Sequence, residues 1–268
     1  MKNPLFSIIV PCYNDGKYLR EAIESVEECD ENLYEAIIVN DGSTDAETLK
    51  VLSKLEAKNY HVIHQANKGL GAARNAGINC AKGEFILPLD SDNKVRPKYL
   101  TLSLEILKRD AEIGVVYGNA QFFGEKEGIW QVPKFEIERF LVGNFIDACA
   151  VFRREVWEQI GGFDEKMPQQ GWEDWDFWVS AAEKNWSFEH LNEVVFDYRV
   201  RNDSMIWEFR DIVEPLEIRN YVADKHSEFF ALLVRKLFAR KEIMEARIER
   251  FERETFRSFA KLVVKKFL

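Results

Sequence analysis

Five short apolar runs constrain this chain more than any other feature, because each is about five residues long and a stretch of helical periodicity separates each from the next. The runs are residues 6–10, 35–39, 60–64, 85–89 and 113–117. Between them, 17–28 carries Leu19, Ile23 and Val26 at helical spacing, and 45–58 carries Leu49, Leu52 and Leu55. Residues 71–81 form a helix of small side chains. Residues 97–109 form another, with Pro97 suited to a first turn. Short buried strands alternating with helices predict an α/β chain with a mostly parallel central sheet covered on both faces.

Ligands bind such sheets outside the carboxyl ends of the strands. Polar residues cluster at those ends: 11–15 after the first run, Asp41-Gly42-Ser43 after the second, Asp90-Ser91-Asp92-Asn93 after the fourth. Two carboxylates one residue apart can both reach a hard cation from one turn, and Mg²⁺ and Mn²⁺ take such oxygen ligands. The plainer alternative for Asp90 and Asp92 is a capping turn. Asp41 could accept from a base N–H or a ribose hydroxyl; equally, it could cap a Gly turn. Gly69-Leu70-Gly71-Ala72-Ala73-Arg74 lacks the closing Gly or Ala of a dinucleotide fingerprint and follows the third run, so its small residues read as close helix–sheet packing. Arg74, with Lys68, supplies positive charge, or else a surface salt bridge. Glu173-Asp174 opens a helix among aromatic residues. Dipole stabilisation is the plainer reading for at least one of the two carboxylates. The sharper reading is a general base, since burial beside Trp172 and Trp175 would raise a carboxyl's proton affinity.

The formal net charge is −9, and 37 Lys+Arg against 46 Asp+Glu excludes a general nucleic-acid binder. The charge is uneven. From Arg235 onward there are 11 Lys/Arg against 5 Glu, a balance of +6 that leaves −15 elsewhere. Cys12, Cys29, Cys80 and Cys149 lie far apart, which fits free thiols in a reducing compartment. Residues 121–171 are irregular, with helical pieces at 135–142 and 154–160. A helix follows to about residue 185, and 194–198 reads as a late strand. Beyond Ser204 the pattern becomes amphipathic helix, with Leu237, Met244, Ile248, Phe251, Phe259 and Val263 at heptad-like steps. No apolar stretch is long enough to span a bilayer.

Taken in order, these pieces resemble the family 2 glycosyltransferases with the GT-A fold, a Rossmann-like sheet with helices on both faces. Ser7-Ile8-Ile9-Val10-Pro11-Cys12-Tyr13-Asn14 resembles the family's opening strand and loop, and Val39-Asn40-Asp41-Gly42-Ser43-Thr44-Asp45 its second motif. Asn67-Lys68-Gly69 through Ala73-Arg74-Asn75-Ala76-Gly77 resembles the third, and Leu89-Asp90-Ser91-Asp92-Asn93 the DxD. Gly161-Gly162-Phe163-Asp164, then Glu173-Asp174, resembles the acceptor region and ED motif. Tyr198-Arg199-Val200-Arg201 with Ser204 resembles the closing segment.

The resemblance implies an inverting transfer from a nucleotide-diphosphate sugar, a UDP-sugar for preference, to a hydroxyl of a glycan or lipid-linked glycan. Pro11 and Tyr13 would line the nucleoside pocket, Asp41 would bind the base, and Arg74 would lie close to it. Asp90 would contact ribose or the metal shell, and Asp92 would ligate Mg²⁺ or Mn²⁺. Asp174 would be the catalytic base, with Glu173 and Trp172 toward the acceptor. Many members carry His where Arg201 stands; Arg201 would pair with the diphosphate instead. The implied division is a glycosyltransferase domain over 1–205, with a nucleotide-binding half (1–118) and an acceptor half (119–205), then a helical extension over 206–268. The implied setting is cytoplasmic. The basic tail, read from its own residues, would pack on the body, pack on a second subunit, or lie on the inner face of the membrane, with Phe256, Phe259, Val263 and Phe267 toward lipid and Lys261, Lys265 and Lys266 near headgroups. Two other classes share some of these features. A sugar-phosphate nucleotidyltransferase would want a glycine-rich basic loop after the first strand, where 11–16 has none. A non-catalytic carbohydrate-binding protein gives no reason for Asp41, Asp90 and Asp92 to end core strands.

Overall fold

The computed structural model of the chain describes residues 4–201 and 216–267, with side chains placed in 4–201 and 216–256. Two compact units emerge, Met1–Val222 and Ala223–Leu268. The boundary expected between 205 and 206 lies outside the described residues, as do Ser204 and the side chains of Phe259, Lys261, Val263, Lys265, Lys266 and Phe267.

The first unit begins β1 (Phe6–Cys12), α1 (Gly16–Glu27), β2 (Tyr34–Asp41), α2 (Ala46–Ala57), β3 (His61–Gln65), α3 (Leu70–Cys80), β4 (Phe85–Pro88). It continues β5 (Lys94–Val95), α4 (Lys98–Arg109), β6 (Ile113–Gly124), β7 (Gly128–Trp130), α5 (Ile137–Phe140), β8 (Val151–Arg153), α6 (Arg154–Ile160), α7 (Glu173–Glu183), β9 (Ser187–Val200). Then come α8 (Leu216–Lys225) and, in the second unit, α9 (Ser227–Phe267).

Among the described residues the strands form one sheet, ordered β3, β2, β1, β4, β8, β6, β9, β5, with β7 on β6. The first four pair in parallel. Every residue of β1 is buried, as a central strand requires, whereas His61 and His64 of β3 are exposed at the sheet edge. The other half is mixed: β8 runs antiparallel to β4 and β6, β9 runs parallel to β6, and β5 runs antiparallel to β9. The parallel expectation therefore describes the β3-to-β4 half. β8 follows an irregular loop rather than a crossover helix, and so is free to enter the sheet reversed.

The chain leaves β1 toward β2 and β3, then returns to place β4 on β1's other side. The loops after β1 and β4 thus part at a topological switch point, where open sheets form clefts. α3 packs closely on β1 and β2, as its small residues predict: a Cβ on Gly77 would overlap Ile9 Cγ2.

Three expectations need correction. Leu49 is 43 % exposed, because the buried face of α2 runs through Thr48, Leu52 and Leu55 at the i, i+4, i+7 spacing of one helix face. β6 extends to Gly124, well past residue 117, and β9 begins at Ser187, not 194. Polar side chains such as Asn119 and Glu193 hide both extensions, since they interrupt the apolar run without breaking the ladder.

Candidate active site

At the switch point a cleft of about 530 Å³ opens above the ends of β1, β2 and β4. Its walls include Pro11, Tyr13, Asp15, Asp41, Arg74, Asp90, Asp92, Asp147, Glu173, Asp174, Tyr198 and Arg201. Tyr13, half exposed, stands at its edge. Asp41 is buried and organises the neighbouring loop. Its Oδ1 accepts from Gln65 Nε2 at 2.7 Å and Lys68 N at 2.9 Å, and its Oδ2 from Gly69 N at 2.8 Å. Gly69 sits at φ 92°, a backbone region that a side chain would strain, so this grip needs glycine.

Arg74 projects from α3 into the wall and joins two carboxylates from distant elements. One guanidinium nitrogen donates to Asp90 Oδ1 at 2.8 Å, and the other to Glu173 Oε1. Glu173 Oε2 in turn accepts from Gly171 N at 2.8 Å. The expected surface salt bridge is instead a buried one. An arginine fork suits it, because its planar donors satisfy two carboxylates at once.

A second arginine holds the other side. Arg201 lies 2.7 Å from Asp15 Oδ1 and 3.1 Å from Asp92 Oδ2. Ser91 Oγ donates to Asp15 Oδ2 at 3.1 Å, tying the loop after β1 to the loop after β4. Arg199 fixes the turn from behind: its backbone N–H donates to Asn93 Oδ1 and its Nε to the Asp92 carbonyl. Burial pushes the Asp92 carboxyl up to about 7; Arg201 opposes the rise, while Asp90 and Asp15 add to it. This turn remains short of positive charge even with Arg201 beside it. Its donors are hard oxygens, which fits a divalent cation. Among the described residues no three His, Cys, Asp or Glu side chains converge as a self-sufficient metal cage. A Mg²⁺-type ion bound through one or two carboxylates needs no such cage, since water and phosphate oxygens complete its shell.

Asp174, on the first turn of α7, forms the third corner. Its Oδ1 accepts from Trp175 N at 2.7 Å and its Oδ2 from Asn144 Nδ2 at 3.1 Å. Burial first, then the charge of Glu173, holds its carboxyl well above the usual carboxylate range. The tryptophans around it act as struts. Trp175 Nε1 donates to the Phe140 carbonyl and Trp178 Nε1 to the Ile146 carbonyl, which pins the irregular 140–146 segment onto α7. Asp147 follows directly. Its Oδ1 accepts from Cys149 N, and burial, reinforced by Asp90, pushes its carboxyl up to about 7.

The structure brings Pro11, Tyr13, Asp41, Arg74, Asp90, Asp92, Glu173, Asp174 and Arg201 around this one cleft. Trp172 is the correction: it caps α7 and does not line the cleft. Trp172 is the N-cap, with φ −126° and ψ 3° outside the helical region, so its side chain does not follow the helical turn that carries Glu173 and Asp174 to the cleft. Glu173 is buried against Arg74. Sequence reasoning missed Asn144 and Asp147. Neither belongs to a periodic segment, and only the Gly-flanked irregularity of the region hinted at function. Asp15 was legible as part of the polar cluster after β1, but not as Arg201's partner.

The model of glycosyl transferase family 2 matches residues 7–161, more than half of the chain. A chondroitin synthase of Pasteurella multocida is 28 % identical over 207 residues, covering 75 % of this chain but 21 % of the synthase. The chain thus spans about a fifth of that relative's length. Among solved structures, S. aureus TarS 1-349 in complex with UDP-GlcNAc aligns with a TM-score of 0.63 at 24 % identity, over 74 % of this chain and 59 % of that one. The Pyrobaculum calidifontis mannosyltransferase PcManGT, in complex with GDP-Man and Mn²⁺, aligns with a TM-score of 0.58 at 18 % identity, over 84 % and 70 %. Both likenesses are of fold.

Proposed function

The chain belongs to glycosyl transferase family 2, and from that membership we propose that it moves a sugar from a nucleoside-diphosphate donor, UDP-linked for preference, to an acceptor hydroxyl with inversion at the anomeric carbon. One observation carries this reading. A single cleft holds the acidic turn Asp90-Ser91-Asp92 and, on a separate helix, a buried carboxylate whose proton affinity is raised.

Asp174 is the base. Its raised affinity makes it a stronger proton acceptor than an exposed carboxylate, and Asn144 and the Trp175 N–H fix its two oxygens. It takes the acceptor hydroxyl's proton as that oxygen bonds to the anomeric carbon and the carbon's bond to the diphosphate breaks, releasing the nucleoside diphosphate. One displacement needs one base, whereas a retaining double displacement would need a nucleophilic carboxylate as well. Glu173 and Asp90, clamped through Arg74, hold α7 and the acidic turn at a fixed spacing. Pro11, Tyr13 and Asp41 receive the nucleoside, with Asp41 shaping the loop through the Lys68 and Gly69 N–H groups. A divalent cation at Asp90 and Asp92 would neutralise charge on the diphosphate. Arg201, already beside Asp92, adds a second cationic contact there. The nucleotide sugars in complex with the two solved structures, UDP-GlcNAc and GDP-Man, support a nucleotide-sugar donor, and the glycan in the chondroitin synthase's name supports a glycan acceptor.

The test is calorimetry of UDP and GDP with and without Mn²⁺, followed by a nucleotide-sugar screen for acceptor-dependent nucleotide release. Metal-assisted uptake of UDP that is lost in Asp92→Asn is expected. A folded chain that takes up neither nucleotide at any Mn²⁺ concentration would sink the reading.

A further inference from the structure

α9 runs 41 residues from Ser227 to Phe267, and its unit contains nothing else but the end of α8. Along it Phe230, Val234, Leu237, Lys241, Met244, Ile248 and Phe251 recur at alternating steps of four and three. This is the spacing of a coiled-coil seam. Val234, Leu237, Met244, Ile248 and Phe251 are 44–70 % exposed, so among the described residues this seam stands open.

We propose that this face pairs with the same face of a second copy of the chain, as a parallel two-stranded coiled coil centred on Lys241 to Phe251. Flanking charge selects both partner and direction. With Val234, Lys241 and Ile248 at the first seam position (a) and Leu237, Met244 and Phe251 at the second (d), Arg240 and Arg247 fall at g, and Glu245 and Glu252 at e. In a parallel pair each g residue meets the e residue five positions on in the other copy. This places Arg240 opposite Glu245 and Arg247 opposite Glu252, opposite charges at both crossings on both sides. An antiparallel pair would set Arg against Arg and Glu against Glu. Seam chemistry agrees: β-branched Val234 and Ile248 at a, with unbranched-β residues at d, favour two strands, and a single Lys at a, here Lys241, fixes register at some cost in stability.

A membrane surface suits this segment less. All five glutamates of the tail lie between 242 and 254, interleaved with the basic residues, whereas a helix on anionic lipid wants a uniformly basic polar face.

The experiment is sedimentation equilibrium of the full-length chain. A dimer is expected. Arg247→Glu should weaken it on the order of tenfold by setting like charges at the 247–252 crossing on both sides of the pair, and Arg247→Glu with Glu252→Arg should restore it. The two positions are five apart on one helix, so the swap mends no contact within a chain. In a Cys80→Ser background, which removes the exposed thiol, Met244→Cys should crosslink copy to copy under oxidised glutathione, which takes up the two electrons and two protons. Seam positions in a parallel pair meet their own equivalents within disulfide reach. A monomer at every concentration, a dimer indifferent to Arg247→Glu, or a monomer that co-sediments with phosphatidylserine vesicles would each overturn the proposal.

Discussion

Arg74 of α3 and Glu173 of α7, 99 positions apart, form an ion pair in which both side chains are almost wholly buried, and the same guanidinium also holds Asp90 behind β4. One side chain thus fixes the distance between the acidic turn and the helix that carries Asp174. Removing one partner of a buried pair costs about 3–5 kcal/mol, because the other charge is left without solvent or counter-ion. Arg74→Ala strands the buried Glu173, while Asp90 keeps access to the cleft, and should lower stability by about that range in urea unfolding. Glu173→Gln, which keeps an acceptor for Arg74, should cost distinctly less. Equal losses in the two variants would show that the pair does not hold the site.

Asp174→Asn keeps the shape of the side chain and its contact with the Trp175 N–H but cannot take a proton. Loss of a general base costs roughly 10²- to 10⁴-fold in kcat. UDP affinity, measured separately by calorimetry, should stay within about threefold, since the base touches the acceptor. Transfer near the wild-type rate would remove Asp174 from the mechanism.

Asp147 gives a pH signature. Burial and the neighbouring Asp90 push its carboxyl up to about 7, so the folded chain retains a proton there that the unfolded chain sheds near pH 4. Between those values the native state binds more protons, and stability falls as pH rises. The penalty is absent below about pH 4 and complete above about pH 7. Asp147→Asn can still accept from Cys149 N and removes the penalty. It should raise stability by about 4 kcal/mol at pH 8 and by little at pH 4. The check is thermal unfolding at both pH values; a shift of the same size at each would contradict this origin.

Gly77→Ala tests the contact of α3 with the sheet. The added methyl would overlap Ile9 Cγ2 and stand 3.1 Å from Val39 Cγ2. Both belong to β-branched side chains with stiff χ1 angles on buried strands, so neither yields easily. Overpacking of this kind costs about 1–3 kcal/mol, and the better helix propensity of alanine recovers only about 1. A net loss in urea unfolding is expected, where an exposed helical glycine would show a gain.

The sequence determined what local chemistry can determine. Apolar runs of strand length, helical spacing between them and acidic residues at the strand ends define the β1-to-β4 half and name Asp41, Asp90 and Asp92, because in a parallel βα repeat each strand end is also a motif boundary in the chain. Heptad spacing in α9 is equally local. Tertiary structure decided the rest. β8 reverses between β4 and β6, and the long β6 and β9 ladders run through polar residues, since pairing partners and not periodicity stabilise them. Asp147 reaches the cleft and Asn144 reaches Asp174 only because Trp175 and Trp178 pin an irregular segment across α7. The roles of Arg74 and Arg201 were decided the same way. A guanidinium looks alike in any sequence, and what it does depends on which carboxylates the fold brings within about 3 Å of it after excluding the water that would otherwise screen them.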